Sequence, residues 1–67
     1  MQSKIDTDKQ AVLTLSLDEL CLINNALNES LEALGRDEDE FQSRMGDSTD
    51  AVKSLLSEIN SVVRELL

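Results

Sequence analysis

Few residues of this 67-residue chain have side chains that could do chemistry: it has one cysteine and no histidine. Cys21 lacks a histidine to activate it, and no lysine or arginine lies near it in the sequence. One thiol without histidine cannot form a thiolate–imidazole metal site or an intramolecular disulfide. We therefore predict no catalytic residue, metal or cofactor, and no small-molecule substrate, so the chain is not expected to be an enzyme.

The acidic run Asp37–Glu40 is the one cluster of oxygen ligands that could suggest a cation site. Calcium loops need oxygens spaced around a turn with a central glycine, and this run has neither. Consecutive helical residues also point about 100° apart, and the start of a helix repels cations. The run is better explained as the start of a short helix capped by Asp37.

The charge balance limits the partners. Fourteen acidic and six basic residues give a formal charge of −8, which disfavours phosphate backbones and favours basic proteins. No apolar run approaches the roughly 20 residues of a membrane span, and no signal-peptide pattern is visible. We expect no nucleic-acid or membrane partner and, since an unpaired cysteine suits a reducing compartment, a cytoplasmic location.

Helix signals define three helices. Ser16 and Glu19 form an S-x-x-E capping box, which predicts a helix from about 17 to 34 with Gly35 as its C′ residue. The short helix after Asp37 should turn Phe41 and Met45 inward and end at Gly46.

Ser48 or Asp47 then caps a third helix, from about 49 to 66. The two long helices should pack antiparallel through apolar stripes. These stripes comprise Leu20, Ile23, Leu27, Leu31 and Leu34 on the first, and Val52, Leu55, Leu56, Ile59, Val62, Val63 and Leu66 on the third.

The N-terminal segment poses a pairing problem. Residues 1–10 are polar and predict a flexible arm, so that residues 11–67 form a single small domain. In residues 11–16, Leu13 and Leu15 alternate with more polar positions, which predicts a strand. A lone strand leaves backbone groups unpaired. Either it pairs with a second copy of the chain, or it joins a partner's sheet, or the segment is not a strand.

The first helix also carries a second apolar facet, formed by Leu22, Ala26 and Ala33 and bordered by acids that include Glu29. The short helix, a second copy or a foreign protein could cover this facet. Beside the main stripe, Asn24 and Asn28 could fix the packing register or present an amide to a ligand. Our candidate partner-binding residues are Leu13, Leu15, Leu22, Ala26, Glu29 and Ala33.

Several segments resemble a group of small, acidic, uncharacterised bacterial proteins with no established activity. These segments are Leu15–Leu20, Asn25–Glu29, Phe41 with Arg44–Gly46, and Leu55–Leu56. The resemblance implies a bacterial origin, and it assigns no catalytic or binding residue to this chain.

The expected fold is therefore mainly α: a short N-terminal strand, then a long, a short and a long helix, with the strand paired across a homodimer. The expected function is that of a non-enzymatic protein-binding module acting as a homodimer. The alternative is an acidic inhibitor of a larger basic protein, of the immunity-protein, antitoxin or nucleic-acid-mimic type.

Overall fold

The computed structural model describes residues 1–6 and 8–67. The fold is mainly helical, as predicted, and begins with a two-stranded antiparallel sheet. In chain order, the elements are β1 (Gln2–Ile5), β2 (Ala11–Thr14), α1 (Leu17–Leu34), α2 (Glu38–Met45) and α3 (Thr49–Leu66).

Strand β1 lies within the segment for which the sequence predicts a flexible arm. It pairs with β2 from Gln2↔Thr14 to Ile5↔Ala11, so β2 is paired within its own chain along one edge. The Asp6 N–H donates to the Gln10 carbonyl oxygen at 2.7 Å, and Lys9 adopts a left-handed φ of 61°. Backbone pairing needs no apolar side chains, which is why the polar composition of β1 hid the strand. Thr7 lies outside the described residues.

Helix α1 has the predicted bounds and the predicted capping box. The Glu19 N–H donates to Ser16 Oγ at 3.1 Å, and the Ser16 N–H donates to Glu19 Oε1 at 2.9 Å. The latter bond is the main cause that lowers the pKa of Glu19. Gly35 differs from the prediction, because its φ of −71° is right-handed. A Cβ there would press on the Leu31 carbonyl oxygen, which explains the glycine without a left-handed turn.

The caps of α2 and α3 follow the sequence closely. Asp37 Oδ1 accepts from the Glu40 N–H at 3.2 Å, and Ser48 Oγ accepts from the Ala51 N–H at 3.1 Å. Glu40 does not close a capping box; its carboxylate pairs with Arg44 Nε at 3.1 Å. Gly46 ends α2 in the left-handed region, with φ at 82°.

A carboxylate clamp joins the start of α2 to the start of α3. Glu38 accepts the Thr49 N–H at 3.1 Å and the Thr49 hydroxyl at 2.7 Å, while Gln42 donates to it at 3.1 Å. These bonds, led by that from the Thr49 hydroxyl, lower the pKa of Glu38. The Asp37 N–H also donates to the Leu34 carbonyl oxygen at 3.4 Å. The start of α2 is therefore bonded both to the end of α1 and to the start of α3, which lie beside each other. The two long helices therefore form the predicted antiparallel hairpin.

The core is small and lies between the three helices. Phe41 is fully buried, and the other buried apolar side chains among the described residues are Leu20, Val52 and Leu56. The molecule measures 34 × 32 × 15 Å. A helix with its side chains is about 10–12 Å across, so the long helices form a single layer.

Candidate interaction surfaces

The β-hairpin stands apart from the helices. All eight residues of β1 and β2 are exposed. In the described part of the chain, no strand Cα lies within 8 Å of a helix Cα at least three residues away in sequence. An ion pair of 3.4 Å joins the N-terminal ammonium to Glu19. A two-stranded ribbon is at best marginally stable alone in water and usually needs a third strand or a packed helix. In the described residues neither strand of this hairpin packs against a helix.

The two faces of the ribbon differ in polarity. Directly opposed residues share a face, so Ser3 and Leu13 lie with Ile5 and Ala11 on one mainly apolar face. Ile5 is 85% exposed, and Leu13 is also exposed. Leu15, predicted on the same face, is half-buried beyond the end of β2.

The outer edge of β2 is open to a further strand. Hydrogen-bonded and non-hydrogen-bonded pairs alternate along antiparallel strands. Because the Asp6 N–H bonds to Gln10, the next hydrogen-bonded pair is Lys4↔Val12. The N–H and C=O groups of Ala11 and Leu13 consequently point outward, where another strand could bind them.

The predicted second facet of α1 is exposed to solvent. Leu22 is 71% exposed, and Ala26, Glu29 and Ala33 are exposed with it. Helix α2 therefore leaves the facet open, and β2 does not bring Leu13 near it. The structure thus separates the candidate residues into two surfaces, one on the hairpin and one on α1.

A third surface was missed by the sequence analysis. We call it the lateral apolar face, and it consists of Ile23, Leu55, Val62 and Leu66, which are all exposed large apolar side chains. The predicted stripes assigned all four to the interface between α1 and α3. At 100° per residue, the apolar residues of α3 span about 120°, which is wider than one neighbouring helix covers. That width is the signal that could have revealed the surface.

Among the described residues, the side chains that could react or bind a metal are not grouped into a site. Cys21 is a free, half-buried thiol. Asn24, one of the two asparagines assigned to packing register or ligand binding, has a buried Oδ1 without a hydrogen-bond partner. Among residues 1–6 and 8–67, no three histidine, cysteine, aspartate or glutamate side chains are grouped to hold a metal.

Within the same residues, no helix has the length and apolar character needed to cross a bilayer. No protein-family model matches the chain, and neither does any curated protein or solved structure with which it was compared. The resemblance to small acidic bacterial proteins therefore stays a prediction.

Proposed function

We propose that this protein is a non-enzymatic protein-binding module that acts as a homodimer. The observation that carries the proposal is the imbalance between buried and exposed apolar groups. Among the described residues, four apolar side chains are buried, whereas ten large apolar side chains are exposed. Scattered exposed apolar residues are ordinary, but contiguous apolar surfaces usually mark binding sites.

Size supports self-association. Domains of 60 or so residues bury only about 60% of the surface that their unfolded chain exposes, so they are marginal. Oligomerisation is one of the few ways to add buried surface, and the single cysteine excludes an intramolecular disulfide. A second copy would supply the missing apolar contacts without any change in the chain.

The hairpin supplies the element that would bind a further protein. Its outer edge offers the N–H and C=O groups of Ala11 and Leu13, and the adjoining face offers Ile5. Strand addition uses these two features together, because main-chain bonds give affinity and alternate side chains give specificity. The same edge could pair with its counterpart in the second copy.

A second candidate function follows from the exposed facet of α1. Leu22 and Glu29 are both exposed there, two helical turns apart on the same side of α1, on a chain whose formal charge is −8. An apolar patch rimmed by acids suits a basic protein, so an acidic inhibitor of such a protein is the alternative. Salt distinguishes the two functions. It screens the repulsion between two copies of this chain, but it also screens the attraction to a basic partner.

The test is the absolute mass from light scattering after size exclusion, at low and high salt. Refractive index must report concentration, because the chain has no tryptophan or tyrosine. A dimer mass that persists or strengthens in high salt supports the homodimer. A monomer at all salt concentrations would contradict it and would favour the inhibitor.

A further inference from the structure

The area exposed by the chain is larger than its mass requires. Its accessible surface is 5434 Å², whereas a compact monomer of this mass exposes about 4,200 Å². The surplus is about 1,200 Å² per chain, and a stable interface of standard size needs about 800 Å² from each partner. A single two-fold interface of standard size would bury less than this surplus, which also includes the surface of the uncovered hairpin.

The lateral apolar face has the residue spacing of a helix-packing seam. Leu55, Ile59, Val62 and Leu66 follow one another at intervals of four, three and four residues. This is the spacing at which apolar residues of bundled helices interlock. On the same helix, Val52, Leu56, Ile59 and Val63 repeat that spacing, and of these Val52 and Leu56 are buried. Half-buried Ile59 belongs to both series. Helix α3 thus has one covered seam and a second seam in which Leu55, Val62 and Leu66 are exposed.

Helix α1 contributes Ile23 to the same side of the layer. At 100° per residue, Ile23 lies about 60° from Leu20. Leu55, Val62 and Leu66 lie about 40–80° from Val52 in the same rotational sense. Antiparallel helices that face each other place equal rotations on the same side of their common plane. The four residues therefore form an apolar strip on one side of the layer. Leu22 lies away from that strip, on the side of α1 directed away from α3.

From these observations we infer that the lateral apolar face is the homodimer interface, where two copies stack their single layers into an antiparallel four-helix bundle. This inference rests on the proposed function and names the surface that it uses. Its occupant is a second copy because a two-layer bundle would enlarge a core that has four buried apolar side chains in the described part of each 15 Å thick copy. The strip itself carries no charge, so two identical strips can meet without burying an ion.

Charge at the rim gives the dimer a characteristic salt response. Glu58 borders the strip on α3, about 60° beyond its centre, and Glu19, which pairs with the N-terminal ammonium, borders it on α1. In a dimer the two Glu58 carboxylates repel each other, as do the formal charges of −8 on the two copies. Added salt screens this repulsion. We therefore expect the dimer dissociation constant to fall as sodium chloride rises from about 20 to 500 mM, a range that shortens the screening length several-fold.

Two matched variants test the surface. Val62→Glu places a carboxylate in the strip, at a residue that is 45% exposed. Leu22→Glu places the same charge on the edge of α1 that is directed away from α3. Light scattering over a dilution series gives the dissociation constant of each. We expect Val62→Glu to raise it about 100-fold or more, since two buried anchors are lost per dimer. Leu22→Glu should change it by less than about threefold, as for sites outside an interface.

The outcomes separate the two proposals. If the unmodified protein dimerises and only Leu22→Glu dissociates it, the lateral face is the wrong surface while the homodimer stands. If the unmodified protein is monomeric throughout the series, both fail. Far-ultraviolet circular dichroism must show unchanged helicity in each variant.

A direct measurement needs no variant. In a mixture of ¹³C-labelled and unlabelled copies, isotope-filtered nuclear Overhauser spectra report only contacts between copies. Contacts among the methyl groups of Ile23, Leu55, Val62 and Leu66 are expected, and contacts confined to Leu22 or Leu13 would overturn the inference.

Discussion

Phe41 offers the sharpest test of the packing, because it is the only fully buried large side chain among the described residues. Truncating a buried phenylalanine to alanine costs about 3–5 kcal/mol in lost transfer energy and cavity formation. A domain of this length has a total stability of about 3–10 kcal/mol. Phe41→Ala should therefore remove about 30% or more of the unfolding free energy and can leave the helices unfolded at 25 °C.

The assay is urea unfolding followed by circular dichroism at 222 nm, with every variant at one protein concentration because dimerisation adds stability by mass action. With a urea slope near 1 kcal/mol/M for so small a chain, the expected loss lowers the midpoint by about 3–5 M. Phe41→Leu keeps most of the apolar volume, so its urea midpoint should lie between those of wild type and Phe41→Ala. This variant keeps the test readable if Phe41→Ala does not fold.

Leu22→Ala is the matched control, because it truncates a side chain that is 71% exposed. It should change the unfolding free energy by less than about 0.5 kcal/mol. A loss below about 1 kcal/mol for Phe41→Ala would mean that α2 does not hold the long helices together. A loss of about 3 kcal/mol for Leu22→Ala, as large as that expected for Phe41→Ala, would mean that the facet on α1 is covered in solution.

Three further predictions concern the turns and the clamp. Gly46→Ala should cost about 1–2 kcal/mol in the same urea assay, since φ is 82° there and no neighbouring atom would meet the new Cβ. Lys9→Gly should relieve a left-handed residue and slow amide exchange at Lys4 and Val12, as about 1 kcal/mol of added hairpin stability would. The urea midpoint of the helices should stay unchanged, and a shift in it would contradict the separation of hairpin and helices. The pKa of Glu38 is lowered from 4.5 when folded, so its stabilisation exists above pH 4.5 and is lost as the pH falls through the folded value. Urea midpoints of wild type and Glu38→Gln should therefore differ at pH 7, and the difference should shrink as the pH falls below 4.5. A difference constant with pH would refute the clamp.

The helical part of the fold was predictable because its signals are local. The Ser16–Glu19 box, the Asp37 and Ser48 caps and Gly46 each act within four residues, and each determines a helix end where the structure has one. Strand β1 was not predictable in this way. Gln2–Ile5 has one apolar side chain, and its structure depends on backbone pairing with β2 across a turn.

The candidate surfaces were predictable only in part. The sequence identified Leu22 because it is an apolar residue outside the main stripe of α1. It identified Leu13 because this residue belongs to the alternating pattern of a strand. It placed Leu55 and Val62 in the core because periodicity defines a face of a helix without saying how many neighbours cover that face. The number of layers is a tertiary property, and it decided which apolar residues stay exposed.

The clamp and the position of Phe41 have a consequence for the order of folding. An isolated helix of eight residues does not persist in water, because nucleation costs more than so few hydrogen bonds return. Helix α2 therefore needs α1 and α3 beside it, while the hairpin of long helices closes its core only when α2 inserts Phe41. Formation of α2 and closure of the core between α1 and α3 therefore depend on each other. The segment between the long helices is a structural part of the core and does more than link them.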